Sequence, residues 1–248
     1  MRNAGQLRQC DAMIPRMQGA TALVLLVVAV VTGCLALAPD RPAQGLASGM
    51  VLLAGGAAML SALPGHYPHS RLGLCNIVTL TRLAGVALLA GMLVPAQFLQ
   101  GDDTLAWVAL AIALLVLALD GVDGWAARWA GLESRFGARF DMEVDAALAL
   151  VLALLAWQSG KVGAWVLLLG GMRPLFALAA LRWSWMRAPL PAGLWRKGVC
   201  VSQIAVLTVI LAPVVEPGPA RWLAGAALAL LFASFGRDIV WLWRRSAR

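Results

Sequence analysis

The feature that most constrains this chain is a series of long apolar runs, the first being A-T-A-L-V-L-L-V-V-A-V-V-T-G-C-L-A-L-A at 20–38. About 20 such residues in a helix cross the hydrocarbon core of a bilayer. A spanning segment must satisfy its own backbone polar groups, and a helix does so alone. Eight spans are expected, at 20–38, 46–63, 74–98, 104–119, 144–159, 162–181, 198–215 and 220–241. Breakers separate them: Pro39 and Pro42, Pro64 and Pro68, Gly101, Gly160, Pro189 and Pro191, and Pro213 with Pro217 and Pro219. The fold class is therefore an all-α integral membrane protein with about eight transmembrane helices. A composition of 61% hydrophobic and 13% charged residues fits that class and not a soluble domain.

Lysine and arginine set the orientation, because they concentrate in cytoplasmic loops. With the N-terminus inside, the inner segments hold Arg2, Arg8, Arg16, Arg71, Arg128, Arg135, Arg139, Arg182, Arg187, Arg196, Lys197, Arg237, Arg244, Arg245 and Arg248. The outer segments hold Arg41, Lys161 and Arg221. Both termini are expected in the cytoplasm, and the +8 charge reflects this bias, not nucleic-acid binding. Residues 1–38 have the outline of a secretory leader, but the basic lead-in is long and Pro39 follows Ala38, so a retained first helix is expected. The four cysteines are scattered without a C-x-x-C pair, and no disulfide is expected.

Against this background the stretch D-G-V-D-G-W-A-A-R-W-A-G-L-E-S-R-F-G-A-R-F-D-M-E-V-D, from Asp120 to Asp145, stands apart. Asp120 and Asp123 are three apart at the end of span four, and Asp141 and Asp145 are four apart at the start of span five. Both spacings put side chains on one helix face. Four carboxylates aimed at one point repel unless cations lie between them or their pKa values rise. Hard oxygen ligands suit Mg²⁺ or Mn²⁺, with Ca²⁺ as an alternative, and with only two histidines zinc is a poor fit. Small residues (Gly121, Gly124, Ala126, Ala127, Gly131, Gly137, Ala138) permit close approach, and Arg128, Arg135 and Arg139 suit a phosphate. Two carboxylate-held metals suggest in-line displacement at phosphorus. The plain alternative is a set of interfacial charges that bind nothing, but acids at a membrane edge are costly unless used.

This stretch resembles the signature of the CDP-alcohol phosphatidyltransferases, D-x-x-D-G-x-x-A-R-x8-G-x-x-x-D-x-x-x-D. Every fixed position is filled: Asp120, Asp123, Gly124, Ala127, Arg128, Gly137, Asp141 and Asp145. N-I-V-T-L-T-R at the start of span three is similar to the family's N-x-x-T-x-x-R and supplies Asn76, Thr79 and Arg82. The resemblance implies a six-helix catalytic core over 71–248, with 1–70 as an N-terminal extension of two helices. It implies attack by an alcohol hydroxyl on CDP-diacylglycerol, release of CMP, and two Mg²⁺ or Mn²⁺ ions. Asp120, Asp123, Asp141 and Asp145 would ligate metal, and Asp145 would also be the general base. Asn76, Thr79, Arg82, Gly124, Ala127, Arg128, Ser134 and Gly137 would lie along the nucleotide-bearing substrate. Arg173, within span six, with Arg182, Arg196 and Lys197 would receive an anionic or phosphorylated acceptor. Positive-inside anchoring is the plain alternative for Arg182, Arg187 and Arg196.

Two departures bear on the acceptor. Several relatives follow the last Asp with a basic residue, where this chain has Ala146 and Ala147; W-R-K-G-V-C matches at most one lysine, Lys197, of a G-K-x-K-T-type run. Glu143 points away from its neighbours on a helix and is left out of the site. A homodimer in a bacterial inner membrane, with membrane lipids as partners, is expected. The competing readings are a metal transporter, a family member that binds nucleotide lipid without turnover, and a transferase using a different CDP-alcohol donor with a lipid acceptor. A transporter would place acids through the bilayer depth, and the spans are nearly free of them.

Overall fold

The computed structural model describes residues 18–33, 41–66, 74–94, 103–130, 135–188 and 193–246, without the side chains at 63–66, 74–75, 122–130, 135–136 and 194. Among them every regular element is helical, as an all-α membrane protein requires. The helices are α1 (Gln18–Gly33), α2 (Pro42–His66), α3 (Leu74–Gly91), α4 (Asp103–Ala130), α5 (Arg135–Gln158), α6 (Leu167–Arg182), α7 (Leu194–Leu211) and α8 (Pro217–Ser246). Each of the eight expected spans falls on one of these helices. Among the described residues four segments are long and apolar enough to cross a membrane: Pro42–Ala62, Asp103–Gly121, Ala164–Arg182 and Pro217–Ser246. Gln18–Gly33 and Asn76–Gly91 are shorter apolar helices.

Helix ends differ from the expectation where it matters most. Helix α4 runs on to Ala130, and α5 begins at Arg135. Most of the acidic stretch is therefore helical, and only 131–134 separates the two helices. Helix α4 continues through Gly121 and Gly124, each of which costs a helix only about 1 kcal/mol.

The chain divides into two compact units, Met1–Pro95 with Ala111–Asp145, and Ala96–Leu110 with Ala146–Arg248. In the first, α3 is buried on nearly every side, through Leu80, Leu83, Val86, Ala87 and Leu89. Helix α2 packs along it. A Cβ on Gly91 would lie 2.7 Å from the Gln44 carbonyl oxygen and 2.1 Å from Ser48 Oγ, so only glycine allows this approach. The Gln44 side-chain amide donates to the Val94 carbonyl at 2.7 Å and fastens the same end.

In the second unit, α8 presents Ala220, Ala224, Ala227, Leu231 and Ser234 as a buried stripe, and α7 and α6 both pack on α8. Small residues at this spacing let helices approach closely in lipid. Gly170 of α6 lies against the backbone of α5, where a Cβ would meet Leu150 Cα at 2.5 Å. Pro174 lies inside α6 and removes the donor that would have reached the Gly170 carbonyl. The Gln203 side-chain amide, from α7, donates to the adjacent Leu169 carbonyl. Trp183, Trp195, Trp222 and Trp243 are exposed near helix ends, as interfacial anchors would be.

Candidate active site

The site is built on α3, α4 and α5, wholly inside the first unit. Three-residue spacing makes Asn76, Thr79 and Arg82 one ridge of α3. All three are buried, at 1%, 4% and 1% exposure. A buried arginine needs a partner, because an isolated charge in a low-dielectric interior is costly. Among the described residues Arg82 has three carboxylate partners. Its Nη2 lies 3.0 Å from Asp120 Oδ1, Nη1 pairs with Asp141 Oδ1, and Nη2 also pairs with Asp145 Oδ1. Asp120 comes from α4, while Asp141 and Asp145 stand one turn apart on α5. Val116 of α4 touches the place where a Cβ on Gly85 would be, so α4 lies close against α3.

The carboxylates are half-buried, at 28%, 31% and 21%, while the guanidinium they share is closed off. One ligand atom from each of Asp120, Asp141 and Asp145 lies within 4.8 Å of the others. The donor set is all hard oxygen and carries three negative charges when ionised. Arg82 offsets one. Such a cluster fits Mg²⁺ or Mn²⁺ by donor type and by the charge left over.

Not every expected residue can be placed. The backbone of Asp123, Gly124, Ala127 and Arg128 continues α4, while their side chains, and all of Ser134, lie outside the described residues. Gly137 is in the first turn of α5 and half-buried; Glu143 is exposed. Arg173 and Arg182 lie on α6, and Arg196 and Lys197 on α7, all in the second unit. Arg196 is 3.7 Å from Asp238 Oδ2. The residues 1–17 and 34–40, on which the question of a cleaved leader turns, lie outside the described residues.

Asn76 Nδ2 is buried and has no hydrogen-bond partner among the described residues. An orphaned buried donor costs about 1–3 kcal/mol. It is the kind of group that a ligand's acceptor atom would satisfy. The engagement of Arg82 with the acids was not anticipated from the sequence, which aligned Arg82 with the nucleotide-facing motif. The available signal was physical: an arginine in an apolar helix demands carboxylates, and the acids nearest in type were those of the signature.

A family model described as CDP-alcohol phosphatidyltransferase matches residues 72–233. Searches of the curated proteins and of the solved structures gave no match.

Proposed function

The chain belongs to the CDP-alcohol phosphatidyltransferase family, and from that premise we propose that it moves the phosphatidyl group of CDP-diacylglycerol to a small alcohol. The observation that carries the reading is the convergence of Asp120, Asp141 and Asp145, three fixed positions of the signature, on one point. The acceptor hydroxyl oxygen bonds to the phosphorus that bears diacylglycerol. The bond from that phosphorus to the CMP phosphate oxygen breaks, and CMP leaves. Asp145 takes the hydroxyl proton as general base.

Asp120, Asp123, Asp141 and Asp145 would hold two divalent ions, Mg²⁺ or Mn²⁺, whose charge would polarise the phosphates and the attacking oxygen. Asn76 donates its buried amide to the nucleotide, with Thr79 beside it. Gly124, Ala127 and Gly137 leave room for the substrate backbone, and Arg128 and Ser134 bind its phosphate end. Arg173, Arg182, Arg196 and Lys197 receive an anionic acceptor such as glycerol phosphate, inositol phosphate or serine. The six helices from residue 71 onward form the catalytic core, which the family match from residue 72 supports. The arginine distribution supports cytoplasmic termini and a cytoplasmic site; a bacterial inner membrane and a homodimer complete the proposal.

The test is release of CMP by purified protein from CDP-diacylglycerol, with Mg²⁺ or Mn²⁺ and a panel of alcohols supplied singly. Metal-dependent release with one alcohol is expected and names the acceptor. Release only from a water-soluble CDP-alcohol in the presence of diacylglycerol would replace the donor assignment. No release from either donor, with no binding of nucleotide lipid, would overturn the proposal.

A further inference from the structure

The reaction above requires that three carboxylates from two helices keep a fixed spacing while repelling one another. Nothing in α4 or α5 alone ensures this. Asp141 and Asp145 share a face of α5, but Asp120 arrives on a separate helix. The residue common to all three is Arg82, whose two terminal nitrogens engage Oδ1 of each. Arg82 is closed off from solvent, whereas each acid keeps an exposed portion. The guanidinium therefore reaches the carboxylates from buried α3.

We infer that Arg82 is a positioning residue for the catalytic cation: it holds Asp120, Asp141 and Asp145 in ligating register from buried α3. This rests on the proposed metal-dependent transfer and reassigns Arg82 from the nucleotide, where its motif placed it, to the ligand carboxylates. The guanidinium is rigid, planar and always charged, so it can fix several oxygens at once. Carboxylates that bind a metal are themselves held by hydrogen bonds from outside, and losing such a partner typically weakens metal binding about 10–100-fold. Charge gives the same picture. Three ionised carboxylates beside one arginine keep a net negative charge, to which Asp123, the fourth proposed ligand, adds, and the proposed divalent ions would offset it.

Charge and positioning make opposite predictions, which makes the inference testable. Removing a positive group from an anionic site strengthens cation binding if only charge matters. Removing the group that aligns the ligands weakens it. The experiment is Mn²⁺ titration of detergent-solubilised wild type, Arg82→Met and Arg82→Lys, read by electron paramagnetic resonance without substrate. Circular dichroism melting establishes that each variant is folded. Arg82→Met is expected to weaken Mn²⁺ binding about 10-fold or more. Arg82→Lys, which keeps the charge but not the fork, should recover part of that loss. CDP-diacylglycerol KM at saturating metal should stay within about twofold of wild type.

Unchanged or tighter Mn²⁺ binding in either folded variant would overturn the inference. So would a raised CDP-diacylglycerol KM with unchanged Mn²⁺ affinity, which returns Arg82 to the nucleotide. If Arg82→Met does not fold, Arg82→Lys alone decides, since it preserves the buried charge. A wild type that binds no Mn²⁺ would overturn the metal reading itself and this inference with it, an outcome distinct from the failure of Arg82 alone.

Discussion

Arg82 and Arg187 show two uses of the same side chain in one membrane protein. Arg187, in the second unit, donates from Nε to the Ala180 carbonyl at 2.7 Å and from Nη2 to the Leu181 carbonyl at 2.8 Å. It closes the C-terminal end of α6, where carbonyls lack intrahelical donors. Lys161 does the same for α7, donating to the Ile210 and Ala212 carbonyls at 3.0 and 2.5 Å. Burial pushes the Lys161 ammonium below its ordinary range, against the pull of Asp103. In this unit these long polar side chains end on backbone. Arg82 instead meets side-chain charge, and the group it joins retains net negative charge. Polar groups that complete helices are structural; polar groups gathered with charge to spare are where a cationic ligand belongs.

The comparison breaks most visibly at the acids. Asp145→Asn should lower CMP release by about 100-fold or more, the range lost with a general base. The same variant should keep its helical circular dichroism, because a neutral amide relieves repulsion among the remaining acids. Activity near wild type would move the base elsewhere.

Asn76 sharpens the contrast from the other direction. Asn76→Leu removes a buried amide whose Nδ2 has no partner among the described residues. Its melting temperature should be unchanged or higher, while KM for CDP-diacylglycerol rises about 10-fold, equivalent to about 1.4 kcal/mol. A structural asparagine would show the reverse, lower stability with KM intact.

At two helix-packing and helix-capping positions of the second unit the effects should fall on stability alone. Gly170→Ala places a Cβ against the α5 backbone and should cost about 1–3 kcal/mol. Melting temperature reports it, and the metal concentration for half-maximal activity should not move. Lys161→Met should cost less, about 1 kcal/mol, through two uncapped carbonyls at the end of α7. A shift in metal dependence with either variant would show that the two uses of polar groups are not separate.

These differences mark what the sequence made legible. Apolar runs located the helices, because the bilayer imposes a length that composition reveals directly. The acids were legible through their three- and four-residue spacing, which a helix converts into a shared face. Their convergence with Arg82 was not, since Arg82 and Asp141 lie 59 residues apart along the chain. No local period encodes a contact made by packing α3 between other helices. The ends of α4 and α5 were blurred because glycine suits a connector, yet α4 continues through Gly121 and Gly124 to Ala130. Arg187 was legible only as a cytoplasmic charge, because the carbonyls it closes become neighbours when residues 183–187 turn back on α6.

The most direct measurement is the rate of CMP release from CDP-diacylglycerol against Mg²⁺ concentration, for wild type and Asp141→Asn. Asp141 is chosen because the proposal makes it a metal ligand and not the base. The account predicts no release in chelator, saturable activation in the wild type, and for Asp141→Asn a much higher Mg²⁺ requirement together with a lower maximum. Release in chelator, or an Asp141→Asn curve superimposable on wild type, would contradict the assignment of the carboxylate cluster as the metal centre of the transfer.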